Sequence, residues 1–261
     1  MTMSNPNSKL ETKPNIARPK GGVAAIATFD LVAATLEQLT NRRVGMDGIG
    51  VLYGPSGWGK TFSSNTLAME TRAYFVQMKA VWTKKTFLQK ILDEMKFDYD
   101  DHCSIPELFD MVTSQLGASR RVLILDEFNR AIEKPILAQI TREIFDSTQT
   151  PLLLVGEEQL PNVMARSQFK QLYRRVSAWA EAQDVTVADA AKLAPIYCPG
   201  VDFENAALTA LVTFSKGSVS SVVKCFNQLQ EHCLTHGMDS MDFASLQKIA
   251  LPSSTHPKRK I

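Results

Sequence analysis

The sequence predicts an α/β fold: a parallel sheet flanked by helices that carries a phosphate-binding loop, followed by a small all-helical lid domain. Three observations predict it. Short apolar runs at 49–53, 74–78, 121–127 and 152–156 alternate with stretches of helical periodicity, as strands buried on both faces of a parallel sheet require. The first run leads into Gly54-Pro55-Ser56-Gly57-Trp58-Gly59-Lys60-Thr61, the G-x-x-x-x-G-K-[ST] spacing by which backbone N–H groups wrap a nucleotide's phosphates. The third run ends in Asp126-Glu127, where ligands bind in such a sheet.

Taken in order, residues 1–21 are rich in Asn, Pro, Ser and Lys and read as a mobile, mildly basic tail through Lys9, Lys13, Arg18 and Lys20. Residues 22–194 are expected to form the α/β domain. Apolar residues recur at helical spacing over 28–43 (Phe29, Val32, Ala33, Leu36, Leu39), with Thr28 placed to cap. Residues 41–48 turn into the first strand, 49–53, and the helix 62–71 follows the phosphate loop. After the strand 74–78, a loop carrying Lys79, Trp82, Thr83, Lys84 and Lys85 leads into a helix over 87–95. Ser104 introduces another helix over 105–116, and 121–127 is the central strand. A helix to about Asp146 precedes the strand 152–156, and 160–179 reads as helical and basic, with Arg166, Lys170, Arg174 and Arg175 among Phe169, Leu172, Tyr173 and Val176. Breaks at Pro195 and Pro199-Gly200 open the lid domain, 195–251, with helices over 203–214, 219–236 and 241–250 around a Lys216-Gly217 turn. Residues 252–261 form a basic tail ending in Lys258-Arg259-Lys260.

The chemistry follows from the spacing. Residues Gly54, Pro55, Ser56, Gly57, Trp58, Gly59, Lys60, Thr61 and Phe62 are expected to surround the nucleotide. Glycines take positive φ at little steric cost, so successive N–H groups converge on phosphate while the following helix directs its positive end there. Lys60 would reach the β- and γ-phosphates, and Thr61 would hold Mg²⁺ through its hydroxyl. Asp126 would hold Mg²⁺ through water, and Glu127 would polarise the attacking water. The basic stretch reads either as a solvated helix face or as the source of an arginine that crosses to the γ-phosphate of a neighbouring subunit.

The totals bound the alternatives. A net charge of +2 over 261 residues is too small to announce a nucleic-acid binder, so any DNA contact must come from local clusters. Cys103, Cys198, Cys225 and Cys233 form no C-x-x-C pair and suit reduced thiols in a cytoplasm. Cys225, His232, Cys233 and His236 match no usual zinc finger and read as core packing. The polar N-terminus and the lack of any run of about 18 apolar residues point to an intracellular, unanchored protein.

A phosphate-loop domain with an Asp-Glu strand end, a basic segment after the next strand and a helical lid resembles the AAA+ ATPases. More narrowly, GVLYGPSGWGKT, VQMKAVWTKKTFLQ, VLILDE, LLLVGEEQLP, IYCPGV and SKGSVSSVVK resemble the transposition ATP-binding proteins of Mu-like phages, the B-protein group, with more distant kin among bacterial transposon target-selection ATPases. That resemblance implies an ATP- and Mg²⁺-dependent, non-sequence-specific binder of double-stranded DNA. Such a protein assembles as a helical filament or ring and delivers target DNA to a transposase in the cytoplasm. It implies that Lys60 and Thr61 contact phosphate and Mg²⁺ and that Asp126 and Glu127 are the Walker B pair. Arg175 is the better match to the arginine finger, Arg174 the second. Lys79, Thr83, Lys84 and Lys85 would face DNA. Two departures from the AAA+ pattern stand out. Gly156-Glu157 replaces the usual polar sensor, leaving Glu157 or Glu158 for that role, and Gly217-Ser218-Val219-Ser220-Ser221 lacks the lid arginine, leaving Lys224. Both imply slow turnover, with ATP acting more as an assembly switch than as fuel. The same motifs also suit a replication initiator or helicase loader, or a nucleotide-gated scaffold that barely hydrolyses. A small-molecule kinase fits least, because a Walker B glutamate suits activating water.

Overall fold

The computed structural model describes residues 22–43 and 45–252, so both expected tails (1–21 and most of 252–261) lie outside the described residues. Two compact units emerge. One comprises Ala25–Val185 together with Gly217–Ser220; the other comprises, among the described residues, 22–24, 186–216 and 221–252. The division falls at Val185, earlier than the boundary at 194/195 expected from Pro195.

In the larger unit the elements run α1 (Ala27–Thr40), β1 (Ile49–Tyr53), α2 (Lys60–Thr71), β2 (Tyr74–Gln77), α3 (Lys84–Glu94) and α4 (Ile105–Ser119). They continue with β3 (Leu123–Asp126), α5 (Asn129–Glu133), α6 (Pro135–Thr148), β4 (Leu152–Val155), α7 (Leu160–Met164), a 3₁₀ turn at Ser167–Phe169, α8 (Lys170–Tyr173) and β5 (Val176–Glu181). The five strands are parallel in the order β2-β3-β4-β1-β5. Side chains alternate across a strand, so the apolar runs feed two cores. Val51, Val76, Leu123, Leu125 and Leu154 pack with Phe87, Ile91, Leu108, Val112, Leu137 and Ile144 of α3, α4 and α6. Leu52, Ile124, Leu153 and Val155 pack with Val32, Leu36 and Leu39 of α1 and Leu67 of α2. Strands buried on both faces explain why these segments are continuously apolar rather than alternating.

Several boundaries differ from the sequence reading. Thr28 does not cap α1; it lies buried in the first turn, where its hydroxyl donates to the Gln183 carbonyl at 3.3 Å, and Ile26 occupies the N-cap without a side-chain bond. Thr83 is the N-cap of α3, its hydroxyl accepting from the Thr86 N–H at 3.2 Å, so Lys84 and Lys85 form the first helical turn rather than a loop. Residues 176–179, read as helix, belong to β5, where Ala178 and Ala180 are buried while Ser177, Trp179 and Glu181 are exposed.

The smaller unit contains α9 (Val187–Tyr197), α10 (Asn205–Ser215), the body of α11 (Val219–His236) and α12 (Phe243–Gln247). To this helical set it adds one parallel pairing, β6 (Asp202–Phe203) with β7 (Ser240–Met241). Pro195 does not break the chain but sits in the last turn of α9, where its missing N–H forfeits a single hydrogen bond. The helix is started by a reciprocal cap between Thr186 and Asp189. Cys225 and Cys233 are fully buried on α11, as core packing requires, but His232 is half-buried and His236 exposed, the two rings stacked on each other outside the core. No described helix is long and apolar enough to cross a membrane.

Gly50 shows how tightly α1 lies on the sheet. A Cβ there would stand 2.8 Å from Leu39 Cδ1 and 3.3 Å from both Leu153 Cδ1 and Thr35 Cγ2. Gly50→Val is expected to lower stability by about 1–3 kcal/mol through overpacking, read as a lower urea midpoint with an unchanged slope.

Candidate functional site

The parallel register sets the phosphate loop, Gln77, Asp126 and Gly156 at one end of the sheet. Tyr53 ends β1, Gln77 ends β2 opposite Asp126 at the end of β3, and Leu52 pairs with Val155 one residue before Gly156. The chain leaving each strand is tied to its neighbour: Met78 N donates to Asp126 O at 2.9 Å, Phe128 N to Val155 O at 2.8 Å, and Gly156 N to Leu52 O at 2.9 Å. These bonds hold the loop ends in a row, across which the phosphate loop turns.

Gly54, Gly57 and Gly59 take φ of 149°, 83° and 83°. An L side chain would be strained at each, which explains the glycines. The loop borders a cavity of about 490 Å³ lined by Ser56, Gly57, Gly59, Lys60, Thr61, Phe62, Asn65, Phe75, Gln77, Asp126, Glu127, Gly156, Glu157 and Ser220. Lys60 Nζ donates to the carbonyls of Gly54 and Pro55, both at 2.7 Å. Thr61 Oγ1 donates to Asp126 Oδ2 at 2.9 Å, joining residues 65 positions apart. The same carboxylate oxygen accepts from Gln77 Nε2 at 3.2 Å. Of the expected nucleotide-contacting residues, Gly54, Pro55 and Trp58 stand outside the cavity wall; the first two hold Lys60 through their carbonyls, and Trp58 lies against Gly217.

Burial dominates the electrostatics of the two charged groups at the loop. Burial pushes the Lys60 ammonium below its ordinary pKa, against the opposing pull of Asp126, Glu127, Glu157 and Glu158. Burial likewise pushes Asp126 above the usual carboxylate range, although hydrogen bonds from Thr61 and Gln77 work the other way. A half-buried ammonium close to a buried carboxylate offers complementary charges to a phosphate chain and to a divalent ion carried on it. The paired Thr61 hydroxyl and Asp126 carboxylate are hard oxygen donors of the kind Mg²⁺ takes. Glu127 has a φ of 56°, a conformation rare for a residue with a Cβ, and its backbone O accepts from Arg130 N at 2.9 Å.

The arginine candidates separate. Arg175 donates from Nε to Asp146 Oδ1 at 2.8 Å and faces Asp47 Oδ1 at 3.7 Å, and these carboxylates raise its pKa. It clips α6 to the entrance of β1. Arg174 is exposed, and among the described residues no hydrogen bond or ion pair engages its guanidinium. Both immediately precede β5, whose Val176 pairs with Ile49, and the Arg175 carbonyl accepts from Ile49 N at 3.2 Å, at the end of the sheet opposite the phosphate loop. Neither lines the cavity of its own chain.

The candidate DNA-facing residues also divide. Lys79 and Lys84 are exposed, Thr83 is occupied as a cap, and Lys85 donates to the Asp101 carbonyl at 2.7 Å. Lys134 braces the intervening loop by donating to the carbonyls of Ala80 and Trp82. Four cavity residues escaped the sequence reading: Asn65, Phe75, Gln77 and Ser220. Gln77 gave one signal, a polar residue ending an otherwise apolar strand, and Ser220 gave none beyond its place after Gly217.

Comparisons with known proteins agree with the fold. Residues 42–164 match the family described as AAA domain. The chain superposes on the Aeropyrum pernix ORC2 protein, solved as ADPNP-ADP complexes, with a TM-score of 0.63 at 17% identity, covering 89% of this chain and 68% of that one. It superposes on the Aeropyrum pernix ORC1 protein in complex with DNA with a TM-score of 0.57 at 14% identity, covering 85% and 63%. For the Thermotoga maritima RuvB Holliday junction branch migration motor the values are 0.56 at 19% identity, covering 85% and 68%. No curated protein sequence is significantly similar to the chain. The segment 42–164 is thus similar to the AAA domain family, and the loop, the strand-end carboxylates and the parallel strand order give the chain the fold of a P-loop ATPase.

Proposed function

We propose that this chain is an ATP-dependent, duplex-DNA-binding ATPase that self-associates head to tail on DNA and presents that DNA to a transposase. One observation carries the reading furthest. The cavity wall holds a single cation among the described residues, Lys60, against Asp126, Glu127 and Glu157, while Arg174 stands exposed at the far end of the sheet. A triphosphate developing further charge needs more positive charge than this chain supplies. A neighbouring copy, stacked so that its β5 entrance faces the cavity, supplies it through Arg174. The free guanidinium favours Arg174 over Arg175, reversing the order that the motif resemblance implies.

In this reading Lys60 leaves the Gly54 and Pro55 carbonyls for the β- and γ-phosphates of ATP. Thr61 and Asp126 would hold Mg²⁺, which when bound supplies charge neutralisation of the phosphates. Glu127, its backbone fixed by the bonds on either side of it, orients water for in-line attack and takes its proton. Gln77, bonded to Asp126, keeps that carboxylate directed at Thr61. The exposed Lys79 and Lys84, on the loop braced by Lys134, contact phosphates of duplex DNA. The transposase as partner rests on the resemblance to the B-protein group. Recovery of a replicative helicase instead of a transposase from cells would favour the initiator or loader reading.

The expected outcomes are specific. Duplex DNA binding should require ATP, and the logarithm of its affinity should fall linearly with the logarithm of salt, measured by anisotropy; binding indifferent to nucleotide would refute the reading. Glu127→Gln should keep ATP and DNA binding while disassembly slows at least tenfold, followed by light scattering after ATP dilution. Arg174→Ala should lower hydrolysis tenfold or more without changing the melting temperature. Arg175→Ala, by contrast, should lose up to about 1 kcal/mol of stability, as expected for a partly exposed ion pair. Mixing Arg174→Ala with Lys60→Ala should restore part of the activity that each lacks alone, because the mixture contains interfaces with one intact cavity and one intact arginine.

A further inference from the structure

Ser220 lines the same cavity as Ser56, Lys60, Thr61, Asp126 and Glu127, and no step above uses it. It is carried there by Gly217–Ser220, a segment that belongs to the larger unit although its chain neighbours on both sides do not. Both ends of the segment are fastened. Val185 N donates to Gly217 O at 3.2 Å, and Ser220 N donates to Gly57 O at 3.0 Å, in the middle of the phosphate loop. Ser218 Oγ reaches the same Gly57 carbonyl at 3.5 Å.

The approach is close because glycines allow it from both sides. A Cβ on Gly217 would stand 2.4 Å from Asp184 Oδ1 and 3.1 Å from Trp58 Cζ2, and Gly217 has a φ of 79°. A Cβ on Gly57 would meet Ser218 Oγ at 2.8 Å and Ser220 Cβ and Oγ at 3.4 Å. The segment is therefore seated directly on the loop, and the Ser220 hydroxyl is fixed beside it. Among the described residues no hydrogen bond engages that hydroxyl, and the side chain is exposed in the cavity wall. Lys224, expected to stand in for the missing lid arginine, is exposed and is not among the cavity-lining residues.

Resting on the nucleotide reading above, we infer that Ser220 is a positioning residue that reads the terminal phosphate of a bound nucleoside triphosphate through an O–H···O⁻ hydrogen bond. The position where a cation was expected is thus filled by a neutral donor. A charge-assisted bond of this kind distinguishes the triphosphate from the diphosphate without adding positive charge, which leaves charge neutralisation to the neighbouring copy's Arg174.

The test is calorimetric titration of the full chain with a non-hydrolysable ATP analogue and with ADP, each with Mg²⁺, on wild type, Ser220→Ala, Ser220→Thr and Lys60→Ala. Ser220→Ala should weaken the triphosphate about tenfold while ADP affinity stays within about twofold, and Ser220→Thr, which keeps the hydroxyl, should behave as wild type. Equal weakening of both nucleotides, or of neither, overturns the role of Ser220 and leaves the nucleotide site standing. A loss in Ser220→Thr as large as in Ser220→Ala assigns the effect to packing and also overturns it. Wild-type protein that binds no nucleotide, or binding that survives Lys60→Ala unchanged, overturns the site and this role together.

Discussion

The hydrogen bond from Thr61 to Asp126 is the contact on which the rest of the site depends. It closes a gap of 65 residues in sequence, and it forms only if β1 and β3 run parallel, separated by β4, with their ends level. The strand register supplies that condition, and the two apolar cores supply the register, since a slip by one residue would exchange the faces of every strand. The burial that makes the cores stable also desolvates Lys60 and Asp126. Stability and ligand demand are therefore two results of the same packing.

Much of this was legible from sequence because its signals are local. The loop, the helix that follows it and the apolar strands 49–53, 74–78, 121–127 and 152–156 each show in a window of about ten residues, and each lies within a residue or two of its place in the structure. The fifth strand was not legible. Leu172, Tyr173 and Val176 continue a helical spacing into it, and its buried face carries only Ala178 and Ala180, small residues at home in helices. Helix α9 was hidden by Pro195, a breaker in mid-helix that is tolerated in a final turn, although the Thr186-to-Asp189 cap was present in the sequence as a start signal. Beyond these, Gln77 and Ser220 reach the cavity only through tertiary contacts, which no spacing along the chain encodes.

The arginines show where motif matching and physics part. Two adjacent basic residues before a strand look equivalent in sequence, but one meets Asp47 and Asp146 and the other meets solvent. Paired carboxylates assign Arg175 to holding the sheet entrance, and exposure leaves Arg174 available. A similar division applies to Thr83 and Lys85, whose polar groups are occupied within the chain, beside Lys79 and Lys84, whose charges are not. In each case a role in the fold and a role in binding compete for the same donor, and the hydrogen-bond partner decides between them.

Trp58 sits two residues before Lys60 in the phosphate loop, with its ring edge against the bare Cα of Gly217. An indole so placed is a fluorophore built into the loop itself. Trp82 is buried and Trp179 lies on β5, next to Tyr53 and Tyr173, so the three indoles occupy distinct surroundings and their emission can be separated by single replacement. The loop's contact with the 217–220 segment thus has a native optical signal, and its motion can be followed in real time without attaching a dye to a site that has little room for one.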